Sequence, residues 1–138
     1  MVCIHCGGNT RVTNSRAQKR QNQVWRRRQC EQCGTVFTTE EAVDYSGSIV
    51  VTSKNGHLQP FSRDKLFLSI YRSCQHRPTA LNDAAGLTDT VIRKLRPNQG
   101  AVDRQAIINT VQVALNRFDK VASTHYAAFH ATSFDGRR

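Results

Sequence analysis

The features this chain of 138 residues lacks narrow its class first. No apolar run approaches the roughly 20 residues that a membrane-spanning helix needs, so no membrane partner is expected. Met1 leads straight to Cys3, without the charged-then-apolar stretch of a secretion signal. Neither an internal repeat nor a low-complexity segment occurs. Catalytic signatures are missing too: no G-x-S-x-G, no Walker loop, no H-E-x-x-H and no carboxylate cluster. His57, His76, His125 and His130 have no obvious cysteine or acidic partner. These absences point to a binding module and away from an enzyme. Acidic residues are scarce, with 10 Asp and Glu against 20 Lys and Arg, for a net charge of +10. Such a balance favours a polyanionic partner: nucleic acid, a nucleotide or an acidic surface.

Four of the five cysteines form two C-x-x-C pairs, Cys3 with Cys6 and Cys30 with Cys33. Gly7-Gly8 follows the first pair and Gly34 the second. Glycine at such a turn lets backbone N–H groups point at thiolate sulfur, and two knuckles supply four soft ligands in a tetrahedron. An iron–sulfur cluster or a redox pair also uses C-x-x-C, and His5 could stand in as a ligand. The two symmetric pairs favour one structural Zn2+ held by the four cysteines, with no open coordination position. The 23-residue spacer between the pairs is a little longer than the usual pattern and predicts a hairpin. Metal-type spacing also argues for a reducing cytosol rather than a disulfide framework. Cys74 falls on an apolar helical face and is expected to be a buried core thiol.

The spacing predicts an α+β chain. An N-terminal three-stranded zinc ribbon comprises strands near 10–15, 24–29 and 35–39, with a polar hairpin tip at 18–23. The acidic stretch 40–44 then leads to a small-residue hinge at 46–48, which places the domain boundary at about residue 46: domains 1–46 and 47–138. In the second domain 49–52 reads as a strand, Asn55-Gly56 as a hairpin turn and 57–61 as a short return. About four helices follow. Ser62 caps the first, which runs to about His76 with Leu66, Phe67, Ile70, Tyr71 and Cys74 on one face. The second opens at Pro78-Thr79 and presents Leu81, Ala84, Ala85, Val91, Ile92 and Leu95. Asp103 caps the third, with Ile107, Val111, Leu115 and Phe118; Asp119 caps the fourth, with Ala122, Tyr126 and Phe129. Gly136 to Arg138 is expected to be a frayed tail.

Arg11 to Arg28 carries seven basic residues and no acidic one, and three of them, Arg26, Arg27 and Arg28, are consecutive. On a strand Arg26 and Arg28 face one side and Arg27 the other. A basic hairpin beside Trp25 suits phosphate contact. Trp25 itself is expected to pack in the hairpin.

Taken in order, Cys3-x-x-Cys6, Asn14-Ser15-Arg16, Arg26-Arg27-Arg28-x-Cys30-x-x-Cys33-Gly34 and Phe37-Thr38-Thr39-x-Glu41 resemble the zinc ribbon of the bacterial NrdR family, repressors of ribonucleotide reductase genes. Val50-Val51, Lys54-Asn55-Gly56, Pro60 to Leu66, Cys74 to Pro78 and Asp119 to Ala122 resemble the family's ATP-cone. The resemblance covers almost the whole chain. It implies a homo-oligomeric repressor in the bacterial cytoplasm, associated with the nucleoid. Its partner would be double-stranded DNA upstream of ribonucleotide reductase genes. ATP or dATP, with Mg2+, would act as the allosteric ligand and set the oligomeric state. Carried over by position, Arg16, Arg26, Arg27 and Arg28 become DNA contacts. Val51, Lys54, His57 and Lys65 become nucleotide contacts.

The second half departs from the family pattern. Ser53 stands where the family has a basic residue, and His57 replaces an arginine. Ser123 and His130 stand at tyrosine positions, and Lys120 reverses an acidic charge. On these grounds the chain could be a divergent repressor, a repressor with altered nucleotide preference, or a docking module with a vestigial cone; a cone linked to a ribonucleotide reductase enzyme is a separate alternative.

Overall fold

The computed structural model describes residues 1–131; the expected tail at 136–138 lies outside them. Chain contacts divide the molecule into two compact units, Met1–Asp44 and a second that begins at Tyr45.

The first unit is an antiparallel sheet in the order β1-β2-β3, with β1 Thr10–Gln18, β2 Gln23–Cys30 and β3 Val36–Ala42. The hairpin turn lies between Gln18 and Gln23, and Asn22 takes a left-handed φ of 52° there, which asparagine tolerates. A bulge between Val12 and Asn14 shifts the β1 register by one residue. The stretch expected as an acidic lead to a hinge is instead strand: β3 continues through Glu40 and Glu41 to Ala42 because Trp25, Val24 and Gln23 pair with them. Hardly any apolar surface is buried in this unit. Its buried residues are Cys3, Gly8 and Cys30, so the fold depends on what the cysteines hold.

The expected hinge at 46–48 is a single helical turn, α1 (Tyr45–Ser48). A second sheet follows in the order β5-β4-β6, with β4 Val50–Thr52, β5 Leu58–Pro60 and β6 Ala101–Asp103. The β4–β5 hairpin turns at Gly56, whose φ of 74° suits glycine. Sequence patterning missed β6. It is only three residues long, and it runs parallel to β4 across more than 40 intervening residues.

Four longer helices carry the core: α2 (Arg63–Cys74), α3 (Ala80–Lys94), α4 (Arg104–Phe118) and α5 (Lys120–Ala131). All three expected side-chain caps form. Ser62 Oγ accepts from Lys65 N at 3.2 Å, and Asp103 Oδ2 from Gln105 N at 3.2 Å. Asp119 Oδ1 accepts from Val121 N at 2.8 Å and Ala122 N at 3.1 Å. Ile70, Cys74, Ala84, Val91, Val111, Leu115 and Ala122 are fully enclosed. Burial also pushes the Cys74 thiol up, as a core cysteine requires.

Three expected core positions are at the surface instead: Leu81 is 62% exposed, Phe118 41% and Phe129 64%. Phe118 lies under the guanidinium of Arg77, 4.7 Å from the ring centroid, which explains its half-open position. His76 does have an acidic partner, contrary to expectation: its Nε2 is 3.2 Å from Asp119 Oδ2. That carboxylate also accepts from Arg77 Nη1 at 2.8 Å, and Arg77 Nε donates to Asp83 at 2.8 Å. The α2–α3 connection is thereby tied to the starts of α3 and α5. Among the described residues no helix is long and apolar enough to cross a membrane.

Candidate functional site

The metal centre is built by two matching turns. After each C-x-x-C pair the chain reverses at a left-handed glycine, Gly7 at φ 73° and Gly34 at φ 72°. Gly7 N donates to Cys3 O at 3.0 Å, and Gly34 N to Cys30 O at 3.2 Å. Within the turns, His5 N donates to Cys3 Sγ, while Gln32 N and Cys33 N donate to Cys30 Sγ, each at 3.4 Å. His5 thus serves the knuckle through its backbone.

All four sulfurs lie within 4.8 Å of one another. Cys3 and Cys33 are 3.7 Å apart and Cys6 and Cys30 3.5 Å. Four thiolates at about 2.3 Å from one ion, tetrahedrally arranged, would be about 3.8 Å apart, so the residues present fit a Zn2+ ion. The side-chain and backbone groups of Thr35 pull the Cys33 thiol down to about 6, whereas the neighbouring Cys30 and Cys33 sulfurs help push the Cys6 thiol up to about 12. No fifth ligand reaches the cluster among the described residues, as in a closed structural site.

The four candidate DNA arginines divide between the two faces of the ribbon. Arg16 pairs across from Trp25, and Arg27, two residues further along β2, pairs with Asn14 and Thr38. Arg16, Trp25 and Arg27 therefore share one face, with both arginines exposed on it. Arg26 and Arg28 lie on the other face, half-buried and already engaged. Arg26 Nη2 donates to Glu41 Oε2 at 3.0 Å, and Arg28 Nε to Thr39 Oγ1 at 3.1 Å. Trp25 is half-buried in the sheet, next to both open-face arginines.

In the second unit the four candidate nucleotide residues gather around two adjoining cavities between the small sheet and the helices. The larger, of about 370 Å³, is bordered by Val51, His57 and Lys65, with Phe61, Leu66 and Ile107 as apolar wall. The smaller, of about 260 Å³, is bordered by Lys54, Asn55, Gln105 and Asp103. Cavities of this size with apolar walls and a few polar groups suit small-molecule ligands. His130 borders both and packs against Tyr126, the rings tilted by 43° with centroids 4.2 Å apart. Burial, together with the charge of Arg104, holds the His130 imidazole below its ordinary range, and burial pushes the Tyr126 phenol up to about 12.

Sequence reasoning missed Arg104, which also borders both cavities. Its signal is the parallel register Thr52 with Asp103, which sets the next residues, Ser53 and Arg104, side by side; nothing in local sequence carries it.

Comparison with known proteins agrees with this layout. Residues 1–41 match the model of the N-terminal domain of the transcriptional repressor NrdR-like family, and residues 49–131 match the ATP cone domain. A protein called transcriptional repressor NrdR from Symbiobacterium thermophilum is 37% identical over 134 residues, covering 94% of this chain and 87% of that one. One of the same name from a Geobacillus species is 38% identical over 130 residues, covering 93% and 82%. That of Streptococcus sanguinis is 33% identical over 137 residues, covering 98% and 87%. With a four-cysteine cluster in the matched ribbon, a matched cone after it and relatives of that name 33–38% identical over nearly the whole chain, the chain belongs to the NrdR family.

Proposed function

We propose that this protein is a zinc-dependent DNA-binding repressor of ribonucleotide reductase genes, controlled by ATP or dATP in its second unit. The observation that carries the proposal is the pairing, in one chain, of a metal-fixed basic hairpin with a cavity bordered by Val51, Lys54, His57 and Lys65. Zinc holds the hairpin rigid. Arg16 and Arg27 then meet DNA phosphates beside Trp25, while Arg26, paired with Glu41, and Arg28 reinforce the sheet from the other face. Lys54 neutralises the charge of a triphosphate accompanied by Mg2+, and Lys65 adds positive charge at the edge of the larger cavity.

Control requires that the nucleotide bind one arrangement of subunits better than another, so the working form is a homo-oligomer. The bacterial cytoplasm, at the nucleoid, is where such a protein acts. The domain division we propose lies near residue 46, with DNA recognition before it and nucleotide sensing and assembly after it.

The test is a DNA retardation assay with zinc-loaded protein at fixed salt. The probe is the DNA upstream of the host's ribonucleotide reductase genes, with a scrambled control. Specific retardation that dATP strengthens and ATP alone does not is the expected result. Equal retardation of the scrambled probe would overturn the reading. A second reading, a docking module with a vestigial cone, is favoured by Ser53 and His57, which replace basic residues. It predicts no binding heat with either nucleotide.

A further inference from the structure

The cone of this chain has given up positive charge where its resemblance to the family leads one to expect it, at Ser53 and His57. Another basic residue, Arg104, borders both cavities. The parallel pairing of β4 with β6 aligns Thr52 with Asp103, so the residues that leave the two strands, Ser53 and Arg104, emerge as neighbours. The two cavities meet there. They share Ser53, Arg104, Ile108 and His130, and of these only arginine is charged at every working pH. A ligand spanning the apolar and the polar cavity would lie beside these four residues, Arg104 among them.

Four further observations aim this arginine at a ligand. Among the described residues Arg104 has no carboxylate partner within 4.0 Å. Arg104 lines both cavities, and its charge is felt by the rings on the α5 side, where it disfavours the protonated form of His130 and favours ionisation of Tyr126. Ser53 Oγ is buried without a hydrogen-bond partner, and such an orphan is rare unless a bound group completes it. Among the described residues the only carboxylate bordering either cavity is Asp103, which is occupied in capping the Gln105 N–H.

We propose that Arg104 is the principal phosphate-binding residue of the cone, supplying from the start of α4 the charge that Ser53 no longer supplies from the end of β4. The inference rests on the nucleotide-sensor reading above. The base occupies the larger cavity against Phe61, Leu66 and Ile107. The phosphates lie in the smaller one, between Arg104 and Lys54, with the Ser53 hydroxyl donating to a phosphate oxygen. The exchange is steric as well as electrostatic, since the small serine leaves room for a guanidinium and a phosphate side by side.

Calorimetry on the full zinc-loaded protein tests this with ATP and with adenosine, the latter by displacement. Arg104→Ala should weaken ATP binding by about ten- to a hundredfold, the range for one charged hydrogen bond, and leave adenosine binding within about twofold. Arg104→Lys should recover part of the ATP affinity. Unchanged ATP binding by Arg104→Ala would overturn the proposal while leaving the sensor reading intact. An equal loss for ATP and adenosine would also overturn it, by making Arg104 a wall of the cavity and not a phosphate ligand. Failure of the unaltered protein to bind ATP or dATP would sink the sensor reading itself, and the proposal with it. Should Arg104→Ala lose its helical circular dichroism, Arg104→Gln, which keeps much of the side-chain stem, carries the same comparison.

Discussion

Replacing Arg27 by alanine should change how DNA binding depends on salt far more than replacing Arg26. Arg27 stands exposed on the face it shares with Arg16 and Trp25, whereas the Arg26 guanidinium is held by Glu41 at 3.0 Å. Each phosphate contact contributes about 0.9 to the slope of log affinity against log salt. A fourfold rise in salt therefore weakens binding by a factor of about 3.5 for each contact made. Removing Arg27 should cancel one such factor per chain. Removing Arg16 and Arg27 together should cancel about 12-fold over the same fourfold range. Arg26→Ala should leave the slope nearly unchanged, because its charge is largely answered within the sheet. Fluorescence anisotropy of labelled DNA, titrated at several salt concentrations, measures all three slopes. A slope for Arg27→Ala equal to that of the unaltered protein, or a larger loss for Arg26→Ala, would refute the assignment of the open face.

Zinc removal should act on one unit only. Chelation with EDTA should shift the emission of Trp25, the chain's single tryptophan, while the helical dichroism at 222 nm, which arises beyond residue 44, persists. Truncating the fully enclosed Ile70 to alanine should cost about 2–5 kcal/mol, read as a fall in the urea midpoint of the helical signal. Acid should loosen the second unit through Asp119 and Asp83. The Ala122 N–H, Arg77 and His76 hold the Asp119 carboxyl well below its usual range, and Thr79 and Arg77 do the same for Asp83. Depressed carboxylates stabilise above their unfolded value, about 4, and that stability is lost as pH falls from there toward the folded values. Asp119→Asn, which keeps the helix cap, should flatten the acid limb of the 222 nm urea midpoint; an unchanged limb would mean the ion pairs do not matter.

What the sequence makes legible is local. The metal ligands sit in two four-residue turns, each with its own glycine, and the caps Ser62, Asp103 and Asp119 act within three residues of themselves. Strand alternation along β2 is enough to separate Arg27 from Arg26 and Arg28. What stays illegible is set by partners far along the chain. Thr39 and Glu41 on β3 decide which arginines are engaged. Residues 36–42 are strand because β2 is beside them, even where acidic composition suggests a connector. The His76–Asp119 contact spans 43 positions. Periodicity marks Leu81, Phe118 and Phe129 as apolar without showing where the neighbouring helices end, and all three emerge at the surface. The nucleotide candidates rest on resemblance alone, and Arg104 escapes because only the β4–β6 register brings it to Ser53.

That register also sets an order of events as the chain leaves the ribosome. The ribbon has its fourth cysteine at residue 33 and can capture zinc early. The β4–β5 hairpin can close soon after. The third strand of the small sheet is not made until residues 101–103, and the helix that completes the cavity comes later still. Long-range parallel pairing is slow, because a large loop must close before any contact rewards it. A ribosome stalled within α3 would therefore release a fragment with an assembled zinc site and no means of sensing nucleotide. Control by ATP or dATP is available only to a chain that has been translated through α5.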